Sequence, residues 1–352
     1  MRSSPFSFLT RFLTALLPFA LGVAAVLQAS PEPSEVTAYS PQPVELPKNA
    51  GYVLSDGSIY VVGNDGMEGM LNKFNDLFVK THPGFKFKML LKGSSTGIGG
   101  LTAGVSAFAP MGREAWPTEL SGFREAYEYL PLDIHVGYDG YGPRPKYKTP
   151  PGIYVSAKSP LNGLTVEQVT RIFTTGSAKG NITHWGQLGV TGGWANRVIH
   201  LYGPPDDGGL ATSTRITHMG KLPFAQSYET IGKGAEIAKA VSEDPYGIAL
   251  IGFFDAANQP GIKLVPLAET NGSAFSLPTY ENVHEGKYPY VPFMHFYVNR
   301  APGKPLDAFV REYLRLVLSR EGQAIIAEEK ETEEGYVPLN PAEIAKELAK
   351  LN

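Results

Sequence analysis

Three adjacent hydroxyl residues stand between glycines in KGSSTGIGGL, Lys92 to Leu101, where an alternating apolar run gives way to helical spacing. Backbone amides at a helix start point outward unpaired and lie at the positive end of the helix dipole. Glycines allow close approach, and Ser94, Ser95 and Thr96 add hydroxyl donors, a combination suited to a tetrahedral oxyanion. The competing reading is an ordinary helix start, with Ser95 or Thr96 capping its own backbone. A second turn, GNDGM from Gly63 to Met67, also follows an apolar run, and its Asp65 either caps locally or faces the same crevice. In APMGREAW, Arg113 offers a planar fork of donors to an ionised group, or else pairs with Glu114 or Glu119. Farther on, the DDGG stretch (Asp206, Asp207, Gly208, Gly209) has turn composition. Its carboxylates would hold a cation or an amine, pair with Arg113, or only shape the turn. Asp139 carries the same ambiguity as Asp65. Tyr138, Tyr141 and Trp116 read as packing residues or as an aromatic wall for an organic ligand.

Catalytic alternatives find less support. The chain has no cysteine, which excludes disulfides, thiolate metal sites and cysteine nucleophiles. His82, His135, His184, His200, His218, His284 and His295 show no metal-ligand spacing, and neither H-E-x-x-H nor G-x-S-x-G occurs. A secreted phosphohydrolase is therefore the weaker expectation, and no cofactor or metal is expected. A formal charge of −3 on 352 residues gives no reason to expect nucleic acid or an anionic membrane as partner.

The elements that would position these turns follow from periodicity. SIYVVG is a short strand; Met67, Met70, Leu71, Phe74, Leu77 and Phe78 recur at helical spacing; Phe85, Phe87, Met89 and Leu91 alternate as one face of a strand. Strand, turn and helix repeat toward the apolar VSAFAPM, the pattern of a parallel α/β sheet, whose right-handed connections put both turns on one edge. A turn-rich stretch, Gly137 to Gly152, reads as a lobe boundary. Beyond it come the strand IYVSA, the helix TVEQVTRIF capped by Thr165, the strand VIHLYG, and GIALIGFFDA, read as a second crossing between lobes. FMHFYVN is a further strand, followed by one or two helices with Pro305 in the first turn. Residues 1–30 combine Arg2 and Arg11 with an apolar run and small residues, the pattern of a cleaved signal peptide. Residues 31–50 are proline-rich and read as a flexible or extended leader.

The segments GLTVEQVTRIFTTGSAKGNITHWGQLG, PYGIALIGFFDA and HFYVNRAPGKPLDAFVREYLRLVLSREGQAIIAEEKETEEGYVPL resemble the phosphate-binding proteins of ABC-type phosphate importers, in order across residues 58–340. The resemblance implies a type II periplasmic binding protein fold: α/β, two doubly wound lobes joined by a two-segment hinge. Lobe 1 would span residues 51–142 and 258–345, and lobe 2 residues 143–257. The expected signal peptide makes the protein periplasmic or secreted, a monomer is expected, and the resemblance implies a non-enzymatic protein that passes phosphate to a membrane permease. The family's pattern of ligand contacts falls on Gly66 and Met67 in the first turn, on Ser94, on Gly112 in place of a carboxylate, and on Pro204, Asp206, Gly208, Gly209 and Leu210. Of these, Ser94, Asp206 and Gly209 keep the family's residue type. The departures leave three ligand readings: phosphate, a different anion or small organic molecule, or a sensor or other non-transport role.

Overall fold

The computed structural model describes residues 35–144 and 150–352. The expected signal peptide, the first residues of the leader, and residues 145–149 of the expected lobe boundary lie outside the described residues. Among the described residues, no helix is long and apolar enough to cross a membrane.

The first part of the chain alternates strand and helix as its periodicity requires. β1 (Ile59–Gly63) runs through a 3-10 turn into α1 (Glu68–Thr81), which buries Met70, Leu71, Phe74 and Phe78. β2 (Phe87–Leu91) alternates half-buried Phe87, Met89 and Leu91 with exposed Lys88 and Leu90. A second 3-10 turn leads into the short α2 (Gly97–Thr102), then β3 (Ala109–Met111), α3 (Pro117–Tyr127) and β4 (Leu132–Tyr138). The middle of the chain comprises β5 (Pro151–Ser156), β6 (Leu164–Thr165), α4 (Val166–Phe173), β7 (His200–Gly203), α5 (Leu210–His218), β8 (Tyr228–Thr230), α6 (Gly234–Glu243), β9 (Gly247–Gly252), α7 (Phe253–Ala256), β10 (Ile262–Leu264) and β11 (Leu267–Ala268). Thr165 caps α4 as expected, accepting from the Gln168 amide at 3.1 Å while Gln168 reaches back to the Thr165 amide at 2.9 Å. The chain closes with α8 (Tyr280–His284), β12 (Phe293–Val298), α9 (Ala308–Val317), α10 (Arg320–Ala327) and α11 (Pro341–Ala349).

Among the described residues two main sheets result, beside the separate β6–β11 pair, and they share one plan. In the first, β1 and β2 are parallel, and β12 lies antiparallel between β3 and β4. The Ala107 amide donates to the Tyr60 carbonyl at 3.0 Å and the Asn64 amide to the Pro110 carbonyl at 2.9 Å, joining β1 to β3 in the order β2-β1-β3-β12-β4. The second sheet runs β8-β7-β9-β5-β10, with β8, β7 and β9 parallel and β5 antiparallel to its neighbours. In each sheet the fourth strand arrives from across the molecule: β12 enters the first sheet late in the chain, and β5 enters the second after β4.

Several expectations change here. GIALIGFFDA is not a crossing: its β9 portion is buried along all six residues at the centre of the second sheet. A continuous apolar run is what a strand covered on both faces requires. β10 pairs with β5, and β11 with β6, so the chain stays with the second sheet past residue 258 and returns only after Ala268. The described part of the leader is extended but fastened. The buried Glu312 carboxylate accepts from the Tyr39 hydroxyl at 2.8 Å and the Gln42 amide at 2.9 Å, and Glu321 accepts from the Tyr39 amide at 2.6 Å. The expected position of Pro305 in a first helical turn also shifts, because α9 begins at Ala308 with Asp307 as its cap.

The β1–β3 junction tolerates no side chain at residue 63: a Cβ on Gly63 would stand 2.4 Å from the Pro110 carbonyl oxygen and 2.7 Å from its ring. Gly63→Ala should therefore destabilise the fold by about 1–3 kcal/mol through overpacking, read as a lower denaturant midpoint at unchanged m-value.

Candidate functional site

The turns after β1, β2 and β3 meet at one hydroxyl. The Ser94 Oγ accepts from the Asn64 side-chain Nδ2 at 2.9 Å and from the Gly112 amide at 3.0 Å. Asn64 is held in turn by the Gly66 amide, which donates to its Oδ1 at 2.7 Å. Neither Ser95 nor Thr96 caps the following helix. Thr96 instead donates to the Gly93 carbonyl at 2.8 Å, inside its own loop, and Ser95 is exposed. Among the described residues, the amides of Ser94 and Ser95 donate to no partner.

Gly112 sits at the tightest point. A Cβ there would lie 2.8 Å from Asn64 Nδ2 and 3.0 Å from an Asp139 carboxylate oxygen. Any side chain at 112 would displace the amide that bonds Ser94, and the Asp139 carboxylate takes up the neighbouring space from the end of β4.

Beside this junction lies a cavity of about 160 Å³. A water's share of liquid volume is about 30 Å³, so there is room for roughly five waters or one small anion. One wall is Gly112, Arg113 and Asp139; the other is Leu210, Ser213, Thr214, Thr217 and His218. Pro150, Pro151 and Pro292 complete it, from the two chain segments that cross between the sheets. The α5 residues recur at intervals of three and four, which places them on one face of the helix.

Arg113 is held by three hydrogen bonds. Its Nη1 donates to the Glu119 Oε2 at 2.9 Å and to the Glu114 carbonyl at 3.0 Å, and its Nη2 donates to the Glu119 Oε1 at 2.8 Å. A guanidinium has five N–H groups, so two remain. The same guanidinium lies 4.0 Å over the Trp116 ring, and the far edge of that ring abuts Gly208 of the second sheet's body. The Glu119 pairing considered from sequence is thus present, and it coexists with a place in the cavity wall.

The other expected residues are more dispersed. Met67 is fully buried in the core, and Gly66 lies beneath Glu334 and Tyr336, where a Cβ would be 2.9 Å from a Glu334 carboxylate oxygen. Asp65 is exposed. Burial, reinforced by nearby Asp139, Glu334, Glu329 and Asp65, pushes the Tyr336 phenol well above its ordinary range. The surroundings of the first turn are thus acidic, which disfavours a direct anion contact there. Asp206 accepts from the Thr212 hydroxyl at 2.6 Å and from Arg215 Nε at 2.9 Å, and Gly208 donates to Thr212 at 2.9 Å, so this turn is tied back onto α5 rather than to Arg113. Asp207 and Gly209 are exposed. Of the twelve expected residues, only Gly112 and Arg113 line the cavity, with Ser94 bonded directly behind Gly112.

Sequence reasoning missed Asn64, Ser213, Thr214, Thr217 and His218, and weighed Asp139 without selecting it. The available signal was LATSTRITH, a helix carrying hydroxyls and an imidazole where an apolar stripe would be ordinary. His218 stacks on Tyr290 with ring centroids 4.3 Å apart, and among the described residues its buried Nε2 has no hydrogen-bond partner. Burial pushes its pKa down to about 4.

The chain matches the model of the PBP superfamily domain over residues 54–321. It is 30% identical over 345 residues to the phosphate-binding protein PstS of Pseudomonas aeruginosa, covering 97% of this chain and 98% of that one. Among solved structures, PstS from Borrelia burgdorferi aligns at a TM-score of 0.53 and 19% identity, over 80% of this chain and 98% of its own. An ABC-type phosphate transport receptor from Vibrio cholerae aligns at 0.50 and 18%, over 80% and 99%. At these identities the structural likeness speaks for the fold.

The imidazole of His218 yields a signed pH dependence. Its pKa falls from 6.5 to about 4 on folding, so the unfolded chain binds the proton more readily. Stability should decline as pH drops from about 6.5 toward 4, by roughly 3 kcal/mol in all at 1.36 kcal/mol per unit. Urea midpoints of His218→Gln measured across that range should fall less steeply than those of the unaltered protein; parallel curves would show that the ring is not the source.

Proposed function

The chain belongs to the PBP superfamily and to the family of phosphate-binding proteins that it matches along nearly its whole length, and from this we propose that it is an exported solute-binding protein for phosphate. It encloses its ligand between two lobes and delivers it to an ABC-type permease, with no bond made or broken. The lobes correspond to the two main sheets: one lobe holds β1 to β4 with β12, the other the five-stranded sheet of β5 and β7 to β10 together with the β6–β11 pair. The observation that carries this reading is the cavity between the C-terminal edge of the first sheet and α5, placed where two chain segments cross.

The residues divide the task. Arg113 contributes the N–H donors that Glu119 and Glu114 leave open. The Ser213 and Thr217 hydroxyls, on the facing helix, turn donors toward phosphate oxygens. The start of α5 adds the positive end of its dipole. Asp139 supplies an acceptor, and this sets selectivity: hydrogen phosphate has a proton to donate to a carboxylate, whereas sulfate has none and meets only repulsion. The carboxylate that the family pattern places at residue 112 is replaced from β4, since Gly112 leaves the space that Asp139 enters.

One feature favours a second reading. Three prolines and Leu210 make much of the wall apolar, which suits a phosphate ester, phosphonate or other small organic anion better than bare phosphate. Calorimetric titration of the chain from about residue 31 would separate these ligands. Phosphate should bind, Arg113→Gln should weaken it about tenfold or more as a lost charged hydrogen bond, and Asp139→Asn should narrow the preference over sulfate. Tighter binding of methylphosphonate than of phosphate would select the second reading. Absence of any anion binding would defeat both.

A further inference from the structure

At the opposite end of β4 from Asp139, two imidazoles and a carboxylate converge that the anion site does not use. Asp133 and His135 alternate onto one face of β4, and His295 stands directly across from His135 on β12. The Asp133 Oδ1 lies 3.0 Å from His295 Nδ1, and its Oδ2 lies 3.5 Å from His135 Nε2. One ligand atom from each of the three falls within 4.8 Å of both others. Bonds of about 2.0–2.1 Å to a tetrahedral ion put its ligand atoms roughly 3.4 Å apart, so the two carboxylate–imidazole separations already approach the edges of such a site.

The surroundings are organised around the same atoms. His135 Nδ1 faces the Glu347 Oε1 at 3.5 Å, and the other Glu347 oxygen accepts from the His135 amide at 3.0 Å. A carboxylate behind an imidazole fixes the tautomer that leaves Nε2 free to ligate. Phe293 stacks on His135 at 4.1 Å and Tyr297 on His295 at 5.5 Å, which hold the two rings in place. Lys350 donates to Glu347 at 2.9 Å and to the Asp133 main-chain carbonyl at 3.0 Å, leaving the Asp133 carboxylate to the imidazoles. Asp133 and His135 are half-exposed, so an ion has a way in and a water can complete its shell.

We propose that Asp133, His135 and His295 form a binding site for a divalent transition metal, with Zn²⁺ the best fit to two nitrogens, one oxygen and a water. Asp133 and His135 lie six and four residue steps along the extended chain from Asp139, roughly 20 and 13 Å, so this site is separate from the anion cavity. A metal here would clamp β4 to β12, the strand by which the returning chain enters the first sheet.

The test uses the chain from about residue 31 without a polyhistidine tag, treated with chelator and exchanged into phosphate-free buffer. Zn²⁺ should bind one to one by calorimetry and raise the unfolding midpoint; Co²⁺ should give the visible bands of a four-coordinate ion. Asp133→Asn and His135→Gln, both half-exposed and expected to fold, should each abolish the one-to-one binding. Glu347→Gln should weaken it about tenfold by releasing the His135 ring. Failure of the unaltered protein to take up zinc at micromolar concentration would overturn the proposal. So would binding that survives in the Asp133→Asn, His135→Gln double variant, or cobalt bands of an octahedral aquo ion.

Discussion

The Ser94 hydroxyl oxygen accepts from Asn64 and from Gly112, and the rest of the cavity wall depends on those two bonds. The turns they join follow three different strands, and each turn is short enough to be placed by its strand alone only to within a residue or so. Drawn onto one oxygen, they acquire fixed positions relative to one another. Gly112 must then lie close against Asn64, which forbids a side chain at 112 and opens the ground that Asp139 occupies. Arg113 follows immediately and inherits that placement, to be clamped by Glu119 and the Trp116 face. One hydroxyl thus sets where the charge of the site stands, although it lies behind the cavity wall.

The facing wall is set by a different constraint. Both sheets have the same strand order, and in both the antiparallel fourth strand comes from the opposite side of the molecule. Each sheet is therefore completed only when the chain has passed across. The crossing segments bring Pro150, Pro151 and Pro292 to the base of the cavity, where fixed φ angles limit how these segments bend. Asp206 secures the other end of α5 by holding Thr212 and Arg215, so the helix presents Ser213, Thr217 and His218 as a unit. The aspartate that resembles a ligand contact serves instead as the anchor of the helix that lines the cavity.

Much of the fold was legible because it rests on periodicity. The apolar spacing of α1, the alternation of β2 and the capping box of α4 are local patterns, and local patterns are written in order along the chain. β9 was misread because an apolar run has no period to distinguish a buried strand from a connecting segment, and only its pairing with β5 and β7 decides. The site was less legible. Ser94 was found as part of a glycine-flanked turn, but its role emerges only with Asn64 and Gly112 beside it. Thr217 and His218 lie more than a hundred residues from Gly112, and the helix that bears them has no motif, only an unusual polar face. The Asp133–His135–His295 cluster escaped for the same reason: two ligands lie two apart on one strand, the third on a strand 160 residues later, and strand pairing alone brings them together.

The electrostatics of the cavity follow from what surrounds Arg113. Its pairing with Glu119 leaves the guanidinium with little net charge to offer, and Asp139 adds a negative charge to the same wall. A fully ionised, proton-free anion would gain two open N–H donors and meet the negative charge of Asp139 in the same wall. An anion that carries a proton converts that carboxylate from a repulsive neighbour into a hydrogen-bond partner, and the pair becomes favourable only then. On the opposite wall burial keeps His218 neutral at ordinary pH, so its imidazole adds no charge to the balance. On the proposed reading, selectivity in this cavity rests on the ligand's proton more than on its charge, which favours hydrogen phosphate over sulfate within a single arrangement of side chains.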